Sequence, residues 1–393
     1  MRICLVYDCL YPYTIGGAER WYRSLAERLA SSGHEVTFLT RRQWERHERP
    51  DVDGVRVVAV SPRMGLYDRR GRRRILPPLL FGLGVFRHLL RHGGRYDVVQ
   101  TASFPYFSLL AAAAARRRRP FRLLVDWIEV WTREYWREYL GRIGGRIGWW
   151  IQGACMRVPH RAFCLSRLHE QRLRELGVRG ELTRLDGLYA GPPAAREPLP
   201  ARPVVAFAGR HIPEKRVPAL LPAVARAREE VPELRAEIYG NGPARPEVLR
   251  SIAALHAAEY VSAPGFVDAA VLEQALATAL CFVLPSQREG YGLVIVESSA
   301  RGVPAVVVAG PDNAATELVE DGVNGVVAKS VDGLADAIVR VHRAGAELRR
   351  STLEWFRRNE ERLSIESSLR IVMREHEAPA HTPRASVSPS RPS

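Results

Sequence analysis

Two carboxylates, Glu289 and Glu297, are separated by seven intervening residues in Pro285-Ser286-Gln287-Arg288-Glu289-Gly290-Tyr291-Gly292-Leu293-Val294-Ile295-Val296-Glu297. The apolar run Leu280–Leu284 before them reads as a strand, and Leu293–Ala300 as the helix that follows. Gly290 and Gly292 then leave bare backbone at the start of that helix, where unpaired amides and the helix dipole suit a phosphate. Glu289, on the loop, can accept hydrogen bonds from sugar hydroxyls. Glu297, about two turns further on, faces the same pocket and suits a ribose diol, although a local cap or ion pair would use it equally well. A second segment, Gly209-Arg210-His211-Ile212-Pro213-Glu214-Lys215, follows the strand-like Val204–Ala208. Arg210 as a planar fork and Lys215 as a point charge could grip one diphosphate. Both would then stabilise charge developing on a diphosphate leaving group. The plainer alternative is a solvated charged loop, but Lys215 is one of only two lysines in the chain, with Lys329.

These residues need strands that end at one edge. Short apolar runs at Ile3–Tyr7, Glu35–Thr40, Val55–Val60, Val98–Thr101 and Arg122–Val125 read as strands. The stretch after Gly16-Gly17 has a helical period through Leu25 and Leu29 and stops at Ser32-Gly33-His34. Strands alternating with helices imply a parallel sheet covered on both faces. Leu185–Pro203 interrupts the pattern with Gly187, Gly191 and five prolines. The alternation then restarts at Val204–Ala208, with a helix at Val217–Glu230 and strands at Ala236–Tyr239, Leu280–Leu284, Ala305–Val308 and Gly325–Val327. Leu334–Val341 and Leu353–Val372 read as the last helices. The expected fold is therefore α/β: two doubly wound parallel-sheet domains facing each other across a cleft. The expected division is 1–190, a linker at 191–203, 204–352, a C-terminal helix at 353–377 that packs back toward the first domain, and a disordered tail at 378–393. Ligands of such sheets bind outside the carboxyl ends of the strands, which makes the interdomain cleft the default site.

Taken together, these segments resemble the family 4 retaining glycosyltransferases (glycosyl transferases group 1), which have the GT-B fold. The likeness covers most of residues 1–375 and is strongest from Val204 to Val327. It runs through Gly209-Arg210…Glu214-Lys215, Tyr239-Gly240-Asn241-Gly242-Pro243, Pro264-Gly265-Phe266-Val267, Glu289…Glu297, Ala300-Arg301-Gly302-Val303-Pro304 and Glu317…Asp321-Gly322-Val323-Asn324-Gly325. Gly16-Gly17-Ala18-Glu19 and Ser32-Gly33-His34-Glu35-Val36 add to it in the first half. The resemblance implies a nucleotide-diphosphate-sugar donor held by the second domain and an acceptor held by the first. Arg210, Lys215 and Glu289 would carry the chemistry. Gly16, Gly17, Gly209, His211, Gly265, Phe266, Val267, Gly290, Tyr291, Gly292, Leu293 and Glu297 would surround the donor. It implies no cofactor and no metal, because arginine and lysine take the part of a cation. Many members carry a histidine after a strand of the first domain. The matching stretch, Leu124-Val125-Asp126-Trp127-Ile128-Glu129, has none, so Asp126 or Glu129 is expected on the acceptor side. The competing readings are an epimerase or phosphorylase of the same fold, and a catalytically idle homologue that binds sugar or serves as a partner subunit.

The chain has 393 residues and a formal charge of +15. Its 46% hydrophobic content excludes global disorder. Residues 1–195 contain 34 arginines against 18 acidic residues, while the remainder is close to neutral. The runs Arg69–Arg74 and Arg116–Arg119 lie near apolar and Trp-rich segments, with Trp127, Trp131, Trp136, Trp149 and Trp150 beyond them. Such runs suit an anionic membrane surface; coding bias toward arginine, and a solvated charged face with the tryptophans in the core or the acceptor cleft, are the competing explanations. No nucleic-acid-binding signature accompanies the runs, so nucleic acid is not an expected partner. Five cysteines without metal-ligand spacing, no signal-peptide pattern and no apolar span of membrane length point to a cytoplasmic protein, peripheral on the inner membrane face.

Overall fold

In the computed structural model, which describes residues 1–45, 47–66 and 74–378, the apolar runs become strands, buried on both faces in the middle of each sheet and half-buried at its edge, as at Val55–Ser61. The first half contains β1 (Arg2–Val6), α1 (Gly17–Ser31), β2 (Glu35–Arg41), β3 (Val55–Ser61), α2 (Leu76–His92), β4 (Val98–Ala102) and α3 (Phe107–Arg116). It continues with β5 (Arg122–Trp127), α4 (Arg133–Met156), β6 (Arg161–Cys164), α5 (Arg167–Glu175) and β7 (Leu182–Arg184). Its strands form one parallel sheet in the order β3-β2-β1-β4-β5-β6-β7. The second half contains β8 (Val204–Ala208), α6 (Leu220–Ala227), β9 (Arg235–Tyr239), α7 (Arg245–Ala254), β10 (Val261–Gly265), α8 (Ala269–Thr278) and β11 (Cys281–Leu284). There follow β12 (Arg288–Glu289), α9 (Leu293–Ser299), β13 (Ala305–Val308), β14 (Asp312–Asn313), β15 (Gly325–Ala328), α10 (Leu334–Leu363) and α11 (Ile365–Glu377). The second sheet is also parallel, in the order β10-β9-β8-β11-β13-β15, and β12 pairs separately with β14. Strand order reverses between β1 and β4 and between β8 and β11, which are the switch points where open α/β sheets take ligands.

The pleat divides each strand of the first sheet between two cores. Ile3 and Leu5 join a core that runs under α1, through Leu185, Leu188 and Tyr189, into the second domain. Cys4, Val6, Val125 and Trp127 face α2, α3 and α4. The end of the chain keeps the expected break between helices but shifts a boundary. α10 is two helical segments joined by a sharp kink at Gly345, which has φ 54° and ψ −135°, a backbone that costs glycine little. The second segment ends at Leu363, so the expected helix Leu353–Val372 is divided at Ser364 between that segment and α11. The helix α11 then lies on the first domain. Arg122 donates to the carbonyls of Glu375 and His376, and Arg161 Nη2 meets Glu375 Oε1 at 2.6 Å. Of the run Arg69–Arg74, only Arg74 is among the described residues, and the expected disordered tail lies outside them from residue 379 onward.

One of the two carboxylates expected on the acceptor side is placed elsewhere. Asp126 shares its strand face with Leu124 and is 5% exposed, beneath α1 rather than in the cleft. Gln100 Nε2 donates to both of its oxygens at 3.0 and 2.9 Å. Gln100 Oε1 in turn accepts from His376 Nε2 of α11 at 2.6 Å. Burial raises the Asp126 carboxyl to about 6, against the pull of Tyr22, Gln100 and Trp21. Since the folded state holds this proton more tightly than the unfolded chain, the group contributes stability that is present below about pH 4 and lost as pH rises through about 6. Asp126→Asn mimics the protonated form. Its stability relative to the wild type should therefore rise by roughly 2–3 kcal/mol between pH 4 and pH 7, as read by denaturant midpoints across that range.

Candidate active site

The two segments that read as chemistry do leave adjacent strands at the same edge. Gly209–Lys215 follows β8, Pro285–Gly292 follows β11, and Gln287 N–H donates to the Glu214 carbonyl at 2.9 Å, tying the loops together. Asn313 holds the second loop from below, donating to the carbonyls of Ser286 and Val308 at 3.2 and 2.8 Å. Within this frame Lys215 Nζ donates to Glu289 Oε1, so the expected diphosphate cation and sugar-binding carboxylate already face each other. Arg210 is half-buried on the same loop. Gly292 caps α9 with φ 102°, and a Cβ there would meet the Ala315 Cβ at 2.8 Å.

The other donor-side residues are placed unevenly. Gly265 has φ 94° and ends β10, with Phe266 exposed and Val267 half-buried beside it. Leu293 is half-buried at the start of α9. Gly16 has an extended backbone as the N-cap of α1; its lack of a side chain leaves room for Glu19, whose Oε2 a Cβ would meet at 2.4 Å. At Gly17 no atom would come within 4 Å of a Cβ, and at Gly209 the Phe207 ring would come within 3.3 Å. Two of the donor-side residues are buried. The His211 ring has no exposed surface and packs edge-on against Phe207. Tyr291 is also buried, and its hydroxyl donates to the Asp186 carbonyl at 2.7 Å, so it ties the loop to the interdomain chain rather than facing a ligand.

The first domain closes directly over this edge. Arg20 of α1 donates to Glu297 Oε1 at 2.7 Å. Burial raises the Glu297 carboxyl above its ordinary value, against the pull of Arg20 and Arg301. Glu317 accepts from the Arg167 and Leu168 amides at 2.8 and 2.7 Å, capping α5 from the other domain. Arg172 meets Asp312 at 2.7 Å. Of the two expected acceptor-side carboxylates, Glu129 is the one at the cleft. It accepts from Trp131 Nε1 at 3.0 Å and from Arg288. Burial pushes its carboxyl up, but Arg288, His169, Trp131 and Lys215 outweigh that and hold it below the ordinary value. A Cβ at Gly290 would meet the Ile128 carbonyl oxygen at 2.8 Å, so a glycine is required where the domains touch.

Arg288, Glu214, Trp131, Tyr135 and Arg20 were not among the residues expected at the site. Arg288 stood in the motif as a spacer beside Glu289. Trp131 belonged to a tryptophan cluster for which a lipid surface, the core and the acceptor cleft were all open; in the structure Trp127, Trp131 and Trp136 are buried and only Trp150 of the five is largely exposed. Pairing between residues over a hundred positions apart leaves no local pattern.

The glycosyl transferases group 1 family matches residues 202–344, and the glycosyl transferase 4-like domain matches residues 16–185. An alpha-D-kanosaminyltransferase of Streptomyces kanamyceticus is 32% identical over 145 residues, covering 36% of this chain and 37% of that protein. A GDP-mannose-dependent alpha-(1-6)-phosphatidylinositol monomannoside mannosyltransferase of Mycolicibacterium smegmatis is 36% identical over 144 residues, covering 35% of this chain and 37% of that protein. The chain thus spans little more than a third of the length of either relative. The sucrose-phosphate synthase structure from Thermosynechococcus elongatus superposes with a TM-score of 0.77 at 18% identity, covering 96% of this chain and 98% of that one. That likeness concerns the fold, and the two facing parallel sheets are the GT-B arrangement.

Gly292→Ala should cost about 2 kcal/mol in stability, through the left-handed backbone and the contact with Ala315. Chemical denaturation would read this as a lower midpoint with an unchanged slope.

Proposed function

With its two halves matched in turn, the chain belongs to the group 1 glycosyltransferases, and we propose that it moves a sugar from a nucleotide diphosphate to an acceptor hydroxyl with retention and without a metal. The observation that carries this reading is the Lys215–Glu289 pair at the carboxyl ends of β8 and β11. In this pair the two charges neutralise each other. A donor diphosphate would draw Lys215 away, joined by Arg210, and release Glu289 to accept hydroxyls of the transferring sugar. Both cations would then meet charge that grows as the sugar–phosphate bond breaks, when preorganised donors act most strongly. Glu297, beside Arg20 across the cleft, would take the ribose. The Arg20, Glu317 and Arg172 contacts support a closed state that shields the donor from water.

For the acceptor we favour a lipid-linked or cell-envelope glycan presented at an anionic surface. Among the described residues no helix is long and apolar enough to cross a membrane. Ile143, Ile147 and Trp150, at positions i, i+4 and i+7 of α4, are 78%, 55% and 70% exposed. They form one apolar stripe on a helix surface, flanked by exposed Arg142 and Arg146. Leu76, Leu79 and Leu83 add a second exposed stripe on α2, which covers the same sheet face as α4. Of the run Arg116–Arg119, Arg116 donates to the Pro159 carbonyl and Arg119 to the Leu90 carbonyl. Those two side chains have local partners at the end of α3, and the α4 stripe is the stronger support for the surface.

Lys215→Ala and Arg210→Ala should each lower kcat by about 10²–10³-fold, equivalent to roughly 2.7–4 kcal/mol, in assays of nucleoside diphosphate release with acceptor present. Near-normal rates in both would exclude the diphosphate assignment. The triple change Ile143→Ser, Ile147→Ser, Trp150→Ser should abolish most co-sedimentation with phosphatidylglycerol vesicles while leaving donor hydrolysis in solution intact. Unchanged sedimentation would reject the surface.

A further inference from the structure

The stretch Leu124–Glu129, where the family resemblance leads one to look for a histidine, has none, and its Glu129 is spent on a residue of the other domain. We propose that Arg288 is a positioning residue: gripped by Glu129, Trp131 and Tyr135 of the first domain, it orients Glu289 and Lys215 only when the domains are closed, and so directs the activated sugar to the acceptor rather than to water. The proposal rests on the glycosyltransferase reading above and adds to it a residue that the donor-site motif does not account for.

The geometry starts with β12. This strand is Arg288-Glu289, and successive side chains of a strand point to opposite faces. Glu289 turns to Lys215 of its own domain, and Arg288 turns to the first domain. The Arg288 side chain is 11% exposed. Its guanidinium carbon lies 4.4 Å from the Trp131 ring centre and 4.5 Å from that of Tyr135. The two rings stand at 86° to each other, so the cation sits in an aromatic corner. Nη1 donates to Glu129 Oε2, and Nη2 lies 3.7 Å from Glu214 Oε1. Tyr135 also donates its hydroxyl to Glu214, at 3.1 Å.

Glu214 adjoins Lys215 and Arg288 adjoins Glu289, so the first domain grips both members of the donor pair through their neighbours in sequence. The three gripping side chains lie within seven residues, at the end of β5 and the start of α4. Thr132 fixes that start by accepting from the Tyr135 amide at 3.1 Å, and His169 Nδ1 supports the loop by accepting from the Val130 amide at 3.3 Å. When the domains part, Arg288 loses the rings and Glu129 at once, while the Gln287–Glu214 backbone tie keeps the two loops joined. Lysine could replace the charge but not the planar fork or the ring contacts. No bond of the substrate involves Arg288, so its effect passes through orientation and exclusion of water.

The test uses the full chain with the donor and acceptor that the wild type turns over, and compares Arg288→Ala, Arg288→Lys and Glu129→Gln. Misplacing reacting groups by about an ångström can cost about a hundredfold. Arg288→Ala should therefore lower kcat for transfer by about 30–100-fold, raise the share of donor lost to hydrolysis, and leave nucleoside diphosphate affinity within about threefold by calorimetry. Arg288→Lys should recover less than about a tenth of the lost rate, and Arg288→Ala with Glu129→Gln should fall little further than Arg288→Ala alone. Unchanged partition between transfer and hydrolysis, or a loss confined to nucleoside diphosphate affinity, would overturn the proposal. Should Arg288→Ala fail to fold by circular dichroism, Arg288→Lys and Glu129→Gln carry the same comparison. A wild type that turns over no nucleotide sugar would defeat the transferase reading instead. In that event X-ray scattering still decides the clamp: Arg288→Ala should have a larger radius of gyration than the wild type, and equal radii would overturn it.

Discussion

A guanidinium can be buried between two domains only if both domains help to neutralise it. Stripping water from an ion costs several kcal/mol, and the cost returns in full when one partner is removed. Arg288 meets this constraint with one carboxylate and two aromatic faces from the first domain and a second carboxylate from its own. The loop that carries it is therefore settled only when the sheets face each other. The rest of the site follows from that constraint. Glu289 is the next residue, Lys215 pairs with it, and Gly290 lacks a side chain where a Cβ would crowd the Ile128 carbonyl oxygen at 2.8 Å.

How much of this was legible in the sequence depends on the range of the interaction. Strands such as Val204–Ala208 and Ala305–Val308 are short apolar runs buried on both faces, a pattern of period and composition that is visible locally. The Lys215–Glu289 pair was legible for a related reason, since each residue follows a strand of one sheet and parallel strands end at a common edge. The break in α10 at Gly345 was legible as a gap between two apolar periods, but the boundary at Ser364 that divides the second period between α10 and α11 was not. Asp126 was misread because a strand position alone does not say which face is covered. It turned out to lie beneath α1, in a chain with Gln100 and His376 whose last member is 250 residues away.

The aromatic cluster shows the same division. Five tryptophans in one stretch admit a core, a cleft wall or a membrane face, and composition does not separate them. Trp127 takes the core, where its Nε1 donates to His160 at 2.9 Å. Trp131 reaches the cleft wall and Trp150 faces outward. Strand alternation and the helical period sort them once the register of β5 and α4 is known. The break at Gly141, with φ 75°, sets the phase of the later part of α4, and with it the outward turn of Ile143, Ile147 and Trp150.

The charge asymmetry also acquires an internal use. An arginine-rich half joined to a near-neutral half first suggests an outside anionic partner. Several of those arginines, however, are met by carboxylates of the other half: Arg20 by Glu297, Arg28 by Glu366, Arg161 by Glu375, Arg167 by Glu317 and Arg172 by Asp312. Arg288 to Glu129 runs in the opposite direction, from the near-neutral half to the basic one. The pairs to Glu366 and Glu375 fix α11 on the first domain; the partly exposed Arg20–Glu297 and Arg167–Glu317 pairs contribute little individually, but with the more buried Arg172–Asp312 pair they give the two sheets a preferred facing. A diphosphate entering between them would compete with the carboxylates for the same cations. On the proposed reading, donor binding and the separation of the halves would draw on one set of charges at the cleft, and its ion pairs would rearrange as the donor enters.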